Sequence, residues 1–343
     1  MYDYIIVTHI PNFYKVNLYN ELSKKLNILV IFTAKSTSTK RSNDFITLDN
    51  IRFEYRLLFN GNYEDRNVFT NIMSIKNIFK EYRYKRILVS GWDTKEDWFS
   101  ILYNSKSKNC LALESTINDS KITGIKGALK KIFLSRISIT FASGTLHKNL
   151  LDQLQYMGRI IITKGVGIIN KPKFNSINRD YKKRFLFIGR LSTEKNIKML
   201  VDLFNNLKDY KLTIIGNGPL RGELVRSANT NITFEGEIEN QDLREHFNNH
   251  DVMLLPSISE TWGLVVEEAL YFGMPVIVSE NCGACDLIKY GINGYTLDFT
   301  NLKKVRDIII NINDDIYQNL IRGVSEFSLN AKDIDQVKVY DVA

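Results

Sequence analysis

The chain contains little cysteine, little proline and no long apolar run among its 343 residues. Its three cysteines, a low and odd number, argue against a disulfide framework and favour a reducing compartment. The five prolines and an ordinary apolar fraction are typical of a globular protein rather than a disordered one. The first residues show no signal-peptide pattern, and no apolar run approaches the ~20 residues of a membrane-spanning helix.

A metal centre is not expected from the cysteines or the acidic motifs. Cys282 and Cys285 form a C-x-x-C motif, but a structural zinc site needs two further ligands of suitable spacing, and the neighbouring sequence has none. A loop of small residues is the simpler interpretation. The one D-x-D motif, Asp333 to Asp335, lies in the C-terminal tail and is interpreted as surface charge.

Positive charge is concentrated in the first half of the chain. Residues 1–170 contain 25 Lys and Arg against 14 Asp and Glu, whereas the remaining residues contain 21 against 24. This asymmetry predicts that the first half faces an anionic partner. Since no nucleic-acid motif with interleaved aromatics is present, nucleic acid is not expected, and an anionic membrane surface fits better.

Residues 121–136 (KITGIKGALKKIFLSR) are the clearest candidate for such a surface. Apolar residues recur at helical spacing, and five cations occur with no acid between them. A basic amphipathic helix of this kind can lie on anionic lipid. The open alternative is an ordinary surface helix whose apolar side packs into the core.

The order of predicted elements indicates two α/β domains. Strand, helix and strand patterns open the chain at residues 3–33, and a second strand–helix series begins at Arg184. The first strand is not followed by G-x-G-x-x-G, which disfavours dinucleotide binding. We expect a first domain over residues 1–168, a linker over 169–183, a second domain over 184–325 and a tail over 326–343, which in one interpretation packs back on the first domain.

The most informative stretch, residues 251–279, predicts strand, loop, helix and strand. A strand is expected over residues 252–255, a helix over 264–271 opened by Gly263, and a strand over 276–278. The helix start then lies at the carboxyl edge of a parallel sheet, where its N–H groups attract an anion. Glu260 and Glu268 flank this anion site. Phosphate between two carboxylates suits a nucleotide-sugar.

Two cations are expected at the same edge. Arg190 and Lys195 follow the first strand of the second domain, where they can neutralise a diphosphate and stabilise it as a leaving group. An Arg–Lys pair alone is a weak signal. Together with the helix start and two carboxylates on one sheet edge, it predicts a specific site.

The chain resembles the retaining glycosyltransferases of family 4 type (glycosyl transferases group 1). ETWGLVVEE followed by ALYFGMPV, GRLSTEKN, IIGNGPLRGEL and CGACDLIKYGINGY carry the resemblance, which is dense from about Gly189 to Tyr295. It implies the α/β GT-B fold, in which two Rossmann-like doubly wound βαβ domains face each other across a cleft. It also implies a nucleotide-sugar donor and no metal or other cofactor.

The resemblance implies roles in the donor site. Glu260 would contact the sugar hydroxyls as a catalytic group, Glu268 the ribose, and Arg190 and Lys195 the diphosphate. The implied donor-binding residues are Arg190, Lys195, Glu260, Thr261, Trp262, Gly263, Leu264 and Glu268, with the Gly263 and Leu264 amides on the distal phosphate. Glu267 is expected to point elsewhere on the helix.

Residues at three strand ends of the first domain are candidates for the acceptor site. His9, Trp92 and Asp93 are predicted to bind the acceptor, with the alternatives that His9 is an ordinary loop residue and that Trp92 only packs. Glu114 is predicted as a catalytic group where many relatives have a His. The family's usual interdomain Asp is also replaced, with Asn170 as a candidate substitute.

These features predict a retaining enzyme that moves a sugar from a UDP- or GDP-linked donor to a glycan or lipid-linked acceptor. The expected setting is bacterial surface polysaccharide assembly. The protein is expected in the cytoplasm, with peripheral binding to the inner face of the cell membrane as a further expectation. A sugar-nucleotide epimerase, a glycan phosphorylase and a non-catalytic nucleotide-sugar-binding protein are the alternatives.

Overall fold

The computed structural model describes residues 1–38, 45–173 and 179–342. The chain divides into two compact units: unit 1 contains Met1–Asn170 and Lys332–Ala343, and unit 2 contains Lys171–Ala331. The predicted linker, 169–183, includes residues 174–178, which lie outside the described residues. No helix within the described ranges combines the length and the apolarity needed to span a bilayer.

Unit 1 is built on a parallel sheet of seven strands. They are β1 Tyr2–Thr8, β2 Ile28–Phe32, β3 Glu54–Leu57, β4 Tyr84–Val89, β5 Asn109–Leu113, β6 Ile139–Ala142 and β7 Arg159–Ile162. Their order is β3-β2-β1-β4-β5-β6-β7, and every neighbouring pair is parallel. The order reverses between β1 and β4, so ligands are expected beyond the carboxyl ends of these central strands.

Helices cover both faces of this sheet because its strands are apolar on both sides. They are α1 Phe13–Leu22, α2 Val68–Glu81, α3 Lys95–Tyr103, α4 Gly124–Ser135 and α5 Thr145–Gln153. One core cluster joins the strands to buried residues of α2, α3, α4 and α5, and a second joins them to α1. These helices fix the loops that follow each strand.

Unit 2 repeats the arrangement with six parallel strands. They are β8 Arg184–Ile188, β9 Lys211–Ile215, β10 Ile232–Gly236, β11 Val252–Leu255, β12 Val276–Ser279 and β13 Gly294–Leu297. Their order is β10-β9-β8-β11-β12-β13. The reversal therefore lies between β8 and β11, where Val252 is opposite Phe185. The predicted α/β class with two doubly wound parallel sheets is confirmed.

Within the described part of unit 2, six α-helices accompany the second sheet. They are α6 Ile197–Asn205, α7 Arg221–Ser227, α8 Leu243–Asn249, α9 Leu264–Tyr271, α10 Leu302–Asn311 and α11 Asp314–Glu326. The predicted strand–loop–helix–strand stretch is confirmed as β11, α9 and β12. Two short elements, α7 and β13, lie outside the predicted set.

The C-terminal segment contains more structure than a polar tail. It forms α12, Leu329–Lys338, and the Tyr340 ring stacks on Phe141 of β6 with centroids 4.3 Å apart. The Tyr4 hydroxyl donates to the Tyr340 carbonyl at 2.8 Å. The interpretation of Asp333 as surface charge is wrong, because this residue is buried and pairs with Lys332 at 2.7 Å.

Candidate functional site

The loops that follow β8 and β11 are bonded to each other at the carboxyl edge of unit 2. Lys195, which ends a short 3-10 turn, forms an ion pair with Glu260. The Ile258 amide donates to the Glu194 carbonyl at 2.8 Å, and the Asn196 side-chain amide donates to the Pro256 carbonyl at 3.3 Å. A predicted cation and a predicted carboxylate, 65 residues apart in sequence, are thereby brought together.

The Glu260 backbone is fixed from the other side by the loop after β12. Its amide donates to the Asn281 carbonyl at 3.1 Å, and its carbonyl accepts from the Gly283 amide at 3.0 Å. The next residues continue the contact, since the Trp262 carbonyl accepts from the Ala284 amide and from the Cys282 thiol, both at 2.8 Å. Cys282 therefore closes a loop, in agreement with the small-residue interpretation of the C-x-x-C motif.

Gly263 opens α9 with a backbone that favours glycine. Its φ is 94° and its ψ is 66°, a conformation that other L-residues rarely adopt. A Cβ at this position would lie 2.9 Å from the Cys282 sulfur and 3.1 Å from a Leu255 methyl. The glycine thus allows the helix to start directly against the ends of β11 and β12. The N–H groups of a first helical turn have no partner within the helix and attract an anion.

Two adjacent glutamates of α9 have different environments. Glu268 is 7% exposed and accepts from the Asn240 side-chain amide at 2.8 Å. Glu267 is completely buried and accepts from the Trp262 indole N–H at 2.6 Å. The sequence ranks Glu267 below Glu268 as a ligand contact. Its burial and its bond to Trp262 indicate that Glu267 stabilises the loop before α9.

Not all predicted donor-binding side chains face solvent. Trp262 is 1% exposed because its indole turns inward to Glu267, so its side chain packs beneath the loop instead of facing a ligand. Thr261 is exposed and Leu264 is partly exposed. The loop therefore buries Trp262 while it exposes the neighbouring Thr261.

Arg190 supplies an exposed cation to the same edge. Its carbonyl accepts from the Ser192 amide at 3.0 Å, which bends the chain immediately after β8. The Ser192 hydroxyl holds the pKa of Glu194 below its ordinary value, and the charges of Lys195 and Arg190 act in the same direction. Two cations, a helix start and two carboxylates therefore occupy one sheet edge, an arrangement that can bind and neutralise a diphosphate.

The carboxyl edge of unit 1 carries a different set of groups. Glu114, directly after β5, forms an ion pair with Lys15 of α1, whose Nζ lies 2.8 Å from Oε1. Sequence reasoning missed Lys15. The available signal was its spacing, since Lys15 precedes the buried Leu18 and Tyr19 by three and four residues and so shares their face of the helix.

His9, directly after β1, lies against a buried acid. Its Nε2 is 3.7 Å from Oδ2 of Asp97, which is 1% exposed, and its ring lies 5.3 Å from that of Tyr63. Asp97 accepts from the Thr94 hydroxyl at 2.8 Å. Burial raises the pKa of the Asp97 carboxyl, while the nearby His9 ring opposes this. Asp97 was also missed from the sequence.

Trp92 is a core residue of unit 1. It is 6% exposed, its ring meets Phe133 at 6.4 Å, and the Lys130 ammonium lies 5.1 Å from the ring centroid. The Trp98 indole donates to its carbonyl at 2.9 Å. The packing alternative therefore describes the Trp92 side chain better than an acceptor contact. The neighbouring Asp93 is exposed.

Comparison with solved structures defines the fold class. Sucrose-phosphate synthase from Thermosynechococcus elongatus aligns with a TM-score of 0.71 at 15% identity, over 98% of each chain. HepE from Anabaena, in complex with UDP and glucose, aligns with a TM-score of 0.68 at 14% identity, over the whole of each chain. At this identity the likeness concerns the fold, and it confirms the predicted GT-B class.

Comparison of sequences finds a glycosyltransferase family match over the second part of the chain. Residues 169–321 match the family described as glycosyl transferases group 1. The predicted resemblance to group 1 glycosyltransferases is confirmed, whereas the family 4 type and retention stay predictions. The O-antigen biosynthesis glycosyltransferase WbnH of Escherichia coli is 28% identical over 73% of this chain and 67% of that protein. For several other curated relatives the match spans only 25% to 39% of their length.

Proposed function

We propose that the chain is a retaining glycosyltransferase that moves a sugar from a UDP- or GDP-linked donor to a glycan or lipid-linked acceptor. The observation that carries the proposal is the edge of unit 2, where the Lys195–Glu260 pair, Arg190 and the start of α9 converge. The family match supports glycosyl transfer, and the UDP complex of HepE supports a nucleotide-linked donor.

The donor would bind with its diphosphate on the α9 start. Arg190, Lys195 and the first amides of the helix would stabilise the negative charge that develops as the bond from sugar to phosphate breaks. Glu260 would hold sugar hydroxyls and Glu268 the ribose. An acceptor hydroxyl would form the new bond on the face that the leaving group departs from, and no metal is proposed for this chemistry.

The acceptor would belong to surface polysaccharide assembly. WbnH, named for O-antigen biosynthesis, supports this setting. In unit 1 the acceptor would meet His9, Asp93 and Glu114. The proposed compartment is the cytoplasm, with peripheral binding to the inner face of the membrane.

The experiment is a donor panel. UDP- and GDP-linked sugars are incubated with n-octyl glycosides and with lipid-linked glycan, release of the nucleoside diphosphate is followed, and product configuration is read by NMR. We expect retention, and we expect Arg190→Ala and Glu260→Ala to abolish transfer without unfolding the protein. Arg226→Ala, an exposed arginine on α7, is the control. Full transfer by both edge variants would refute the donor site.

Epimerase or pure binding activity would give other results. An epimerase would convert the donor sugar without needing an acceptor. A sensor would bind the nucleotide-sugar and release nothing.

For membrane binding, the outer side of α4 is the proposed surface. Ile125, Leu129 and Ile132 are 81%, 47% and 55% exposed, whereas Phe133 and Leu134 are buried in the core. One apolar side of α4 therefore packs inward, and a second lies outside, flanked by the lysines of residues 121–136. Exposed apolar residues beside cations fit an anionic lipid surface.

Liposome co-sedimentation tests this surface. The combined variant Ile125→Ser, Leu129→Ser and Lys126→Glu should lose binding to vesicles that contain anionic lipid. Lys303→Glu on α10 is the charge-matched control, and it should bind as the wild type does. Equal sedimentation of the wild type and the α4 variant would remove the membrane proposal.

A further inference from the structure

The buried ammonium group of Lys15 contacts Glu114, the predicted catalytic residue of unit 1. The Lys15 side chain is 8% exposed, and its Nζ lies 2.8 Å from Glu114 Oε1 and 3.5 Å from the Thr8 hydroxyl. The Glu114 side chain is 30% exposed. Lys15 therefore fixes Oε1 of Glu114, while the carboxylate as a whole remains accessible to a ligand.

The position of the pair is that of a ligand site. Thr8 ends β1 and Glu114 follows β5, and these strands lie on either side of β4 in the sheet. Lys15 reaches this edge from α1, because it lies on the same helix face as the buried Leu18 and Tyr19. The pair therefore sits beside the reversal of strand order, at the carboxyl ends of the central strands.

The charge of Lys15 is permanent under ordinary conditions. Burial alone would lower the pKa of Lys15, but the charge of Glu114, aided by Tyr14 and Tyr19, raises it above its ordinary value. A buried ammonium that loses its partner is strongly destabilising, so the two charges hold each other in place. Glu114 consequently faces the edge as an oriented carboxylate.

We propose that Lys15 is a positioning residue that fixes the Glu114 carboxylate so that it can accept a hydrogen bond from an acceptor hydroxyl. The inference rests on the proposed glycosyl transfer and extends it with a residue that acts through Glu114. A carboxylate anchored through one oxygen presents the other in a defined direction. The acceptor class is a sugar hydroxyl, which donates the hydrogen bond.

The test compares Lys15→Met, Glu114→Gln and the double variant, with Lys24→Met as control. Lys24 pairs with Glu21 at 2.6 Å on the surface, so its variant removes an exposed pair near the end of the same helix. With an n-octyl glycoside as acceptor, we expect each single variant to lose tenfold or more in kcat/KM for the acceptor. The affinity for UDP, measured by calorimetry, should stay within twofold of the wild type.

Non-additivity separates positioning from general destabilisation. If Lys15 acts through Glu114, the double variant should be no slower than Glu114→Gln alone. Multiplied losses in the double variant, or wild-type acceptor kinetics in Lys15→Met, would overturn the proposal. Lys15→Arg, which keeps a cation, provides the comparison if Lys15→Met does not fold; it should raise the KM for the acceptor and leave the UDP affinity unchanged, and unaltered acceptor kinetics would count against positioning.

The outcome is distinguishable from failure of the proposed function. If the wild type transfers no sugar from any donor, the glycosyltransferase proposal fails. If the wild type transfers sugar and Arg190→Ala does not, whereas Lys15→Met behaves like Lys24→Met, only the positioning role fails.

Discussion

The carboxyl edges of the two sheets are held together in different ways. In unit 2 the loops after β8, β11 and β12 are joined by backbone hydrogen bonds, among them the contacts of Glu260 with Asn281 and Gly283. In unit 1 backbone hydrogen bonds also join the loops after β1, β2 and β3, among them that of the Ala34 amide to the His9 carbonyl. The charged groups beside its reversal of strand order, however, are held by side-chain pairs, Lys15 of α1 with Glu114 and His9 with Asp97 of α3. Backbone hydrogen bonds can hold the loops of unit 2 whatever their side chains are. The side-chain pairs of unit 1, in contrast, depend on particular residues.

This difference agrees with the proposed roles of the two units, in which unit 2 binds the donor and unit 1 binds the acceptor. The proposed UDP- and GDP-linked donors share a diphosphate group, which backbone amides and two cations can bind. The proposed acceptor donates hydrogen bonds from its hydroxyl groups, which oriented side chains such as Glu114 can accept. Substitutions at one edge or the other test this difference, beginning with the largest expected effect.

Gly263→Ala should damage the edge of unit 2 most. The backbone strain at positive φ costs about 1–3 kcal/mol, and the contact of a new Cβ with Cys282 adds overpacking of about 1–3 kcal/mol. Gly273→Ala is the matched control, because Gly273 ends the same helix with a φ of 76° and has no atom within 4 Å of a new Cβ.

Denaturant unfolding and UDP affinity measure the result. We expect Gly263→Ala to lose UDP binding and most of the stability of unit 2, whereas Gly273→Ala loses only the strain energy and binds UDP. Equal affinities in the two variants would contradict the role of the α9 start.

The edge of unit 1 should weaken in acid through His147. This residue of α5 is fully buried against the Glu114 backbone, and burial lowers its pKa from 6.5 to about 4. Because the folded state keeps the ring neutral, the unfolded state binds a proton more readily as pH falls below 6.5. The free energy of unfolding of unit 1 should therefore fall by about 3 kcal/mol between pH 6.5 and 4.

His147→Gln tests this titration, since it keeps a polar side chain and removes the ionisable ring. Hydrogen exchange in α5 and β5 as a function of pH reports on unit 1 alone. The variant should show a flatter pH dependence than the wild type over this range. Identical slopes would assign the acid sensitivity to other groups.

Glu267→Ala should have the smallest of these effects and should sharpen the distinction between adjacent glutamates. It removes the buried acceptor of the Trp262 indole, at a cost of about 1–3 kcal/mol. Glu267→Gln keeps an acceptor oxygen and should be close to the wild type in thermal unfolding. If both variants retain the wild-type melting temperature, Glu267 does not brace the loop.

The sequence was informative about unit 2 because the site residues lie in short contiguous segments. A buried strand, Gly263 and an apolar helix occur within about twenty residues, so local patterns locate β11, α9 and β12. The sequence also places Arg190 and Glu260 in the loops that follow β8 and β11, where the structure has them. The inward turn of Trp262 did not follow, because it depends on where Glu267 lies in the folded helix.

Unit 1 was less predictable because its contacts join residues far apart in the chain. Lys15 and Glu114 are separated by 99 positions, and Trp92, in the loop after β4, is buried against Phe133 of α4. Spacing within one helix places Lys15 on a buried face but does not reveal its partner. Likewise α12 is a short and mostly polar helix, whose contribution to unit 1 depends on Val337 and Tyr340 packing into a core built by distant strands.

The edge formed by the loops after β8, β11 and β12 is the proposed binding site of the nucleoside diphosphate. Hydrogen–deuterium exchange with saturating UDP or GDP tests it most directly. If this edge binds the nucleotide, exchange should slow in residues 190–196 and at the start of α9, and Gly263→Ala should lose this protection. Nucleotide binding with unchanged exchange in both segments would contradict it.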